Sequence, residues 1–503
     1  MKYNNASQIW TALDGKRQAF LTRMERCAAM TIPTLLLPTG HNHESSDVTH
    51  DYQSIGAQAS NHIVNKLMLS LFAPSRPFAK LQTGAKTKKQ LAAANITEID
   101  LDDILAAGER EAVKQLDSLA QRPKLYMLLK HLVIVGNGLL ILGKDKLRVM
   151  GLRTWCVKRN VNGDVQDLVI RERILFDELE DDITSLPELQ RYTGETEVDH
   201  FKWIKRVKGG NYTMTQWINE SRLPSRFDGR WTEEALPYRV ITWNLADEAN
   251  YGTGLVEDYR GDLEALSTLS ESVVDGAVLG TEYRWGVNPT GMTSIEDIQN
   301  SVNGDALPAS KEDINIINSG TGDGVKTADA IATKYEQRIS RGFLLASAVI
   351  RDAERVTQEE VRLTANELET AYGGVYSTLA SSLQLPVARW LFKSIDLNLG
   401  SSDIKVTILT GLDALSRSGD LENFRLAMAD MANMAALPEN MQARMKWAPI
   451  TAYIGQGRGV DLKPFFMSDG EFAEAQAQAT QQRVGEATAT AAGENLTANQ
   501  GPQ

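Results

Sequence analysis

Residues 325–392 constrain the fold more than any other stretch. Val325 to Ala346 reads as a helix, with Ala330, Ile331, Lys334, Arg338 and Arg341 at helical spacings. Ser347 to Val356 follows without a helical apolar face, and Thr357-Gln358-Glu359-Glu360 then forms a capping box. Val361, Ala365, Leu368, Tyr372, Val375, Leu379 and Leu383 step by three or four and line one face of a second, longer helix. Gly373-Gly374 and Pro386 are expected to bend it. A loop held between two helices is thereby put at a fixed place.

The residues before this stretch divide into helices and then strands. Ile9 to Met30 carries Trp10, Leu13, Phe20, Leu21 and Met24 on a helix that stops at Ile32-Pro33. Asp51 is placed to cap a helix whose Ile55, Ala59, Ile63, Leu67 and Leu71 repeat every fourth residue, with Pro74 and Pro77 ending it. Ile96 to Ala120 reads as a polar helix and Leu125 to Val135 as a buried one. The period then changes. Leu139–Leu142 and Lys146–Val149 read as strands. Thr154–Val161 and Val165–Leu175 flank Asn162-Gly163-Asp164, and Glu197–Val207 and Tyr212–Ile218 flank Lys208-Gly209-Gly210-Asn211, so both pairs read as hairpins. Tyr238–Trp243 adds a strand. The class is α+β, predominantly helical.

Gly254 to Leu279 returns to helix, with Leu255, Tyr259, Leu263, Leu266, Val273 and Ala277 as its stripe. Its other face holds Glu257, Asp258, Asp262, Glu264, Glu271 and Asp275 against Arg260, whereas Lys326–Arg341 carries Lys326, Lys334, Arg338 and Arg341 against Asp329 and Glu336. Helices of opposite balance can pair, within a subunit or between neighbours; the alternative is two unrelated solvated faces. Between them lies a small tip. Tyr283–Val287 and Ile314–Ile317 are its expected strands, Asn288-Pro289-Thr290-Gly291 a turn, and Ile295–Asn300 a short helix. Ile404–Leu409 reads as a strand, and Leu412–Met434 and Met441–Tyr453 as helices, with Gly455-Gln456-Gly457 breaking the last. Residues 471–503, rich in Ala, Gln and Thr, cannot build a core alone.

At 503 residues, 42% hydrophobic and 23% charged, the chain has the composition of a folded protein of about three domains. No apolar run approaches the roughly 18 residues of a membrane span, and the start lacks a secretory core, so no membrane partner is expected. Cys27 and Cys156 are expected as reduced thiols. The net charge of −12 argues against a protein that grips nucleic acid phosphates with a basic face, but not against one that nucleic acid slides past. Phosphate-loop, H-E-x-x-H, G-x-S-x-G and zinc spacings are absent. His41, His43, Glu44, Asp47 and His50 cluster in one loop without a recognised ligand spacing, which favours a solvated loop over a metal site. No catalytic residue, cofactor or metal is assigned, and a non-enzyme is expected.

Several local sequences occur in a distinctive order. They are Asp51-Tyr52-Gln53 with Asn65 to Phe72, Tyr251-Gly252 with Gly261-Asp262-Leu263, Val287-Asn288-Pro289 with Gly291, Glu354-Arg355-Val356-Thr357 with Glu359-Glu360, Gly373-Gly374-Val375-Tyr376, Leu383-Gln384-Leu385-Pro386, and Thr410-Gly411-Leu412. Spread over nearly the whole chain, they resemble the portal protein, or head-to-tail connector, of short-tailed bacteriophages. The resemblance implies a homo-oligomeric ring, usually dodecameric, at one capsid vertex of a virion assembled in the bacterial cytoplasm. Residues 1–252 would be the wing, 253–280 and 325–346 the stem helices, and 281–324 the clip. Residues 347–356 would be the tunnel loop, 357–410 the long bent helix and return strand, 411–470 the crown and 471–503 a tail. The clip, with Trp285, Asn288, Pro289 and Gly291, would dock the terminase large subunit and then a tail adaptor. Double-stranded DNA would pass through the channel, and major capsid, scaffold and internal ejection proteins would be further partners.

An acidic ring repels the polyanion at every point and lets it slide, while Arg341, Arg351 and Arg355 would give weak, transient contacts or, as the alternative, ion pairs with Asp352, Glu354 or the acidic stem of a neighbour. A scaffold or tail adaptor is the alternative reading. A metal-dependent hydrolase built on His41, His43 and Asp47 is a more distant one.

Overall fold

The computed structural model describes residues 4–41, 47–48, 50–73, 77–83, 98–281, 284–306, 308, 310, 312–317, 322–345, 358–395, 404–408, 425–434 and 447–458. The chain opens with α1 (Ala6–Ala29), α2 (Ile55–Leu71), β1 (Ala79–Thr83), α3 (Glu98–Ser118) and α4 (Arg122–Val135). A run of strands follows: β2 (Asn137–Leu142), β3 (Leu147–Met150), β4 (Trp155–Arg159), β5 (Val165–Leu175), β6 (Glu197–Arg206), β7 (Tyr212–Ile218), β8 (Ser221–Arg222), β9 (Gly229–Trp231) and β10 (Tyr238–Thr242). Then come α5 (Leu255–Asp258), α6 (Arg260–Thr281), β11 (Arg284–Val287), α7 (Ile295–Asn300), β12 (Ile314–Ile317) and α8 (Gly322–Gly342). The first compact unit, residues 1–411, closes with α9 (Gln358–Leu379), α10 (Leu385–Ser394) and β13 (Ile404–Ile408).

The centre of that unit is α4. Leu125, Leu128, Leu129, Leu132, Val133, Ile134 and Val135 are all fully buried, as expected of a helix that is apolar on nearly every side. Around it pack α1, α2, α5, β2 and β3. The helix ends at Gly136, whose φ of +71° is the left-handed conformation that glycine adopts at a helix C-terminus. A side chain there would also strike backbone, since a Cβ on Gly136 would lie 2.3 Å from the carbonyl carbon of Thr253. Gly252 and Gly254 meet the same crossing from the other side, with Cβ positions 2.6 Å from the Asn244 oxygen and 2.7 Å from the Val133 oxygen. Asn137, fully buried, clasps it. Its side-chain amide donates to the carbonyls of Val135 (2.8 Å) and Gly252 (2.7 Å), and its Oδ1 accepts from the Gly252 amide (2.8 Å).

Both expected hairpins are present. β4, β5, β6, β7 and β8 form a consecutive antiparallel sheet, with β9 also paired to β7. A smaller sheet has the order β10-β2-β3. α1 lies on the larger sheet, where Ile9, Trp10 and Leu13 meet Cys156, Val169 and Phe201. Arg17, 3% exposed, donates there to the carbonyls of Leu152 (2.7 Å) and Trp155 (2.5 Å). Cys27 and Cys156 are free and buried, and burial pushes both thiols up to about 12, so they remain protonated.

Several expectations need correction. Asp51 does not cap α2. It pairs with Arg26 (3.3 Å), and the Gln53 side chain accepts from the Gly56 amide (2.8 Å) instead. The helix expected from Gly254 to Leu279 is interrupted at Tyr259, whose ring packs on Phe343 with centroids 5.2 Å apart. β1 was not anticipated; it pairs antiparallel with β13, Ala79 opposite Ile408. The bend expected at Gly373-Gly374 is present, at Gly373, where φ is +26°. A π-turn at Ala380–Gln384 follows and runs without a break into α10, with Gln384 and Leu385 helical and Pro386 in the turn just after it. In the second unit, residues 412–503, helices cover 425–434 and Trp447–Arg458 around Ala427, Met431 and Ile454. Gly455-Gln456-Gly457 does not break the latter helix, which runs through it. The capping box at Thr357 and the breaker at Ser347–Val356 lie outside the described residues.

Two predictions follow from this core. Asn137→Ala leaves buried backbone groups of Val135 and Gly252 without partners, at about 1–3 kcal/mol per group, so a loss of at least about 2 kcal/mol is expected in urea unfolding. Burial also pushes His131 and His200 down to about 4, below the ordinary 6.5. The unfolded chain therefore binds more protons across that window. Stability is full above about pH 6.5 and falls as pH drops toward 4, and His131→Leu is expected to flatten part of that acid limb in melts run against pH.

Candidate functional site

The candidate site is the antiparallel pair α6 and α8 with the tip that it carries. Two glycines bring the helices close. A Cβ on Gly276 would lie 2.5 Å from the Val325 side chain, and one on Gly342 would lie 2.2 Å from the Tyr259 ring. Since Gly276 and Val325 are at the tip end and Gly342 and Tyr259 at the core end, the approach is close at both ends. At the core end Leu263, Leu266, Ile339 and Phe343 are buried. Arg338 crosses between the helices to Asp262 (2.9 Å), so the two faces of opposite balance do pair within one subunit.

This pairing alters the reading of the acidic face. Glu257 meets Arg23 of α1 (3.4 Å), Asp262 meets Arg338, and Glu264 meets Arg26 (3.5 Å) and Arg260 (3.9 Å). Asp258, Glu271 and Asp275 stay exposed. The Glu271 carboxylate, by its charge and a hydrogen bond, holds the proton of the exposed Tyr52 hydroxyl and raises it above the ordinary tyrosine value. Exposed apolar residues Val274, Val278 and Leu279 run beside Glu271 and Asp275, and Ile331 is exposed on α8.

In the tip, β11 and β12 pair antiparallel, with Trp285 opposite Ile316 in register. Asn288 and Pro289 are exposed, and the Asn288 Oδ1 accepts from the amide (3.1 Å) and hydroxyl (2.9 Å) of Thr290. Gly291 is required where it stands, since its Cβ would lie 2.3 Å from Asp313 Oδ1. Asp313, 7% exposed, accepts from the amides of Met292 (3.1 Å) and Ser310 (3.2 Å) and ties the turn to the loop before β12. Sequence reasoning missed this residue.

It also missed the residues that hold the ends of the segment between α8 and α9. Leu344 has a left-handed φ of +54°, unusual for a leucine. Its carbonyl is 3.0 Å from His62 Nε2 and accepts from Lys66 Nζ at 3.1 Å. Lys66 also bonds Glu367 of α9 at 2.7 Å, and the Tyr372 hydroxyl donates to the Gly342 carbonyl at 2.5 Å. One ammonium on α2 thus fastens residues on both sides of 346–357. Burial first, and the Lys66 charge second, lower His62 below the ordinary value, so the imidazole is neutral near pH 7. The sequence signal was a lysine inside the buried stripe of α2, one residue before Leu67. Arg341 is exposed in the last turn of α8, whereas Arg351, Glu354 and Arg355 lie outside the described residues.

Among the described residues no helix is long and apolar enough to cross a membrane, and no group of three or more His, Cys, Asp or Glu side chains is placed to hold a metal. His43 and Glu44 of the expected cluster fall outside those residues.

Lys66 is 2% exposed at its side chain and Glu367 31%, which sets the order of two mutational effects. Glu367→Gln removes a carboxylate from a buried ammonium. It is expected to cost about 2–3 kcal/mol, the usual 3–5 kcal/mol for breaking a buried pair being reduced because Glu367 is partly solvated. Lys66→Met leaves a carboxylate that can reach water and takes one donor from the Leu344 carbonyl, at an expected cost of about 1–2 kcal/mol. Urea unfolding of both variants and the double variant checks the order.

The family described as bacteriophage head to tail connecting protein matches residues 3–465. The portal protein of Enterobacteria phage T3 is 30% identical over 481 residues, covering 93% of this chain and 89% of that one. The portal protein of Pseudomonas phage phiKMV is 31% identical over 503 residues, covering 98% and 96%. That of Escherichia phage T7 is 30% identical over 494 residues, covering 95% and 91%. Among solved structures, a chain from the neck of an empty gene transfer agent particle is 13% identical over 81% of this chain and 90% of that one, at a TM-score of 0.35, too low to support the fold by itself.

Proposed function

The chain belongs to the bacteriophage head-to-tail connecting protein family, and from that premise we propose that it works as a portal ring through which the genome is packaged and ejected. Its role is that of a head-to-tail connector, and scaffold, tail adaptor and hydrolase are not favoured beside it. The observation that carries the finer reading is the helix–tip–helix order. α6 leaves the core, residues 284–317 form the tip, and α8 returns beside α6. That arrangement suits two stem helices bearing a clip that reaches past the capsid opening.

On this reading the chain closes into a homo-oligomeric ring, dodecameric as a working number. The unit 1–411 supplies wing, stem and clip, and 412–503 the crown and tail. Residues 347–356 form the tunnel loop facing double-stranded DNA. Trp285, Asn288, Pro289 and Gly291 belong to the surface that meets the terminase large subunit and then the tail adaptor. Capsid, scaffold and ejection proteins meet the ring elsewhere. Asp258, Glu271 and Asp275, repeated by symmetry, keep the polyanion from binding, while Arg341, Arg351 and Arg355 give transient contacts near Glu354. The ring supplies no chemistry; a separate ATPase drives the DNA.

Deleting Ala348–Arg355 is expected to leave assembly intact and to abolish DNA packaging or retention. Negative-stain electron microscopy with light-scattering mass reports assembly, and a packaging assay reports function. Loss of the ring itself would make the segment structural and refute the loop assignment. A monomer at every concentration of the full-length chain would refute the ring.

A further inference from the structure

The first unit of this acidic chain contains, among the described residues, a basic recess that the connector role leaves unused. It is a cavity of about 670 Å³ between β10, α10 and the turn after β2. Four cations line it, Lys144, Arg239, Arg389 and Lys393, together with the indoles of Trp231 and Trp390. Two carboxylates, Asp145 and Glu234, are the opposing charges. Glu234 is already engaged by Arg389 (3.5 Å), and its backbone carbonyl by Arg239 (2.6 Å). Lys144 and Lys393 make no ion pair among the described residues.

The arrangement is costly when empty. Arg389 and Lys393 are four residues apart on α10, so like charges share one helix face. Arg239, on β10 opposite Leu140, is held down by burial and then by the charge of Arg389. Its Nε is buried and has no hydrogen-bond partner among the described residues. The two indoles are fixed rather than free. Trp390 donates its N–H to the Gly143 carbonyl at 2.6 Å, and Trp231 occupies space that only a glycine at 229 leaves open, a Cβ there lying 2.0 Å from the ring. Like charges gathered beside immobilised aromatic surfaces are relieved by a ligand that has an anion at one end and a flat ring at the other.

We propose that this cavity binds a phosphate-bearing ligand of nucleotide size, a free nucleoside monophosphate or the 5′-phosphorylated end of a single strand. The guanidiniums of Arg239 and Arg389 take the phosphate, as planar donors suited to its oxygens, and Lys144 and Lys393 add charge. An indole takes the base by stacking, which is tolerant of base identity. The volume lies within the roughly 300–1,000 Å³ of small-ligand sites, larger than a single carboxylate side chain of an acidic partner would fill. Nothing in this proposal requires the ring.

Isothermal titration of the full-length protein tests it with four probes: inorganic phosphate, adenosine monophosphate, a 5′-phosphorylated oligonucleotide and a hexaglutamate peptide. One saturable site per chain is expected for the monophosphate, the phosphorylated end, or both, and their ratio assigns the source. At least tenfold weaker binding is expected in Arg389→Ala/Lys393→Ala at an unchanged melting temperature, and Trp231→Leu is expected to weaken the monophosphate but not inorganic phosphate. No saturation by either nucleotide probe overturns the proposal. So does inorganic phosphate binding as tightly as the monophosphate, tighter binding of hexaglutamate, or full affinity in the double variant.

Discussion

The architecture of the first unit depends on the crossing where Gly136, Asn137, Gly252 and Gly254 meet. α4 is buried on almost every side, so its last carbonyls have no water to turn to. The chain must turn out of the helix, start β2, and let the strand-to-helix connection at 252–254 pass against it, all within van der Waals contact of backbone. Glycine at three positions removes the steric obstacle, and the Asn137 amide supplies donors and an acceptor that the crossing backbone lacks. Once this is set, Trp243 reaches the Gly136 carbonyl (2.9 Å), β10 pairs with β2, and α5 points α6 away from the core. The direction of the helical pair is therefore decided at a buried amide far along the chain from the tip.

Charge is distributed with similar economy. Sequence counting gives α6 a strongly acidic face, but folding spends half of it on arginines from α1, α6 and α8. These pairs are part exposed, and each contributes little to stability. Their consequence is positional: Arg23 and Arg26 tie α1 to the start of the pair, and Arg338 ties its two helices together. The carboxylates without an arginine partner among the described residues, Asp258, Glu271 and Asp275, are the exposed ones.

What the sequence made legible was local. Helical stripes gave α1, α2 and α4 to within a few residues, and glycine turns gave both hairpins, because periodicity and turn chemistry act over short separations. The tip was readable for the same reason. Pairing of β1 with β13 was not, because the two strands lie far apart in sequence and neither advertises its partner. Asp51 looked like a cap by position, yet Arg26 offered it a charge, and Gln53 was nearer the open amide. Gly455-Gln456-Gly457 looked like a breaker, but glycine in a helix costs only about 1 kcal/mol per residue, which packing overrides. The family itself was legible through the order of its short motifs. The clasping residues Lys66, His62, Tyr372, Asn137 and Asp313 were not, since each acts on a partner distant in sequence or on backbone that no motif marks.

Both ends of the helical pair are rooted in one core. α6 begins beside the Asn137 clasp, and α8 ends with Phe343 buried and the Leu344 carbonyl held from α2. The pair is close at both ends because a glycine on one helix faces a side chain on the other, first near the tip and again near the core. Two helices rooted in the same core and in close contact near both ends form one packed unit with it. Lys66 stands at that root, on the Leu344 carbonyl that leads out of α8 and on the Glu367 carboxylate of α9. One buried ammonium on α2 thus ties the end of α8 to α9, so the two helices share a root although they are separate elements of the chain.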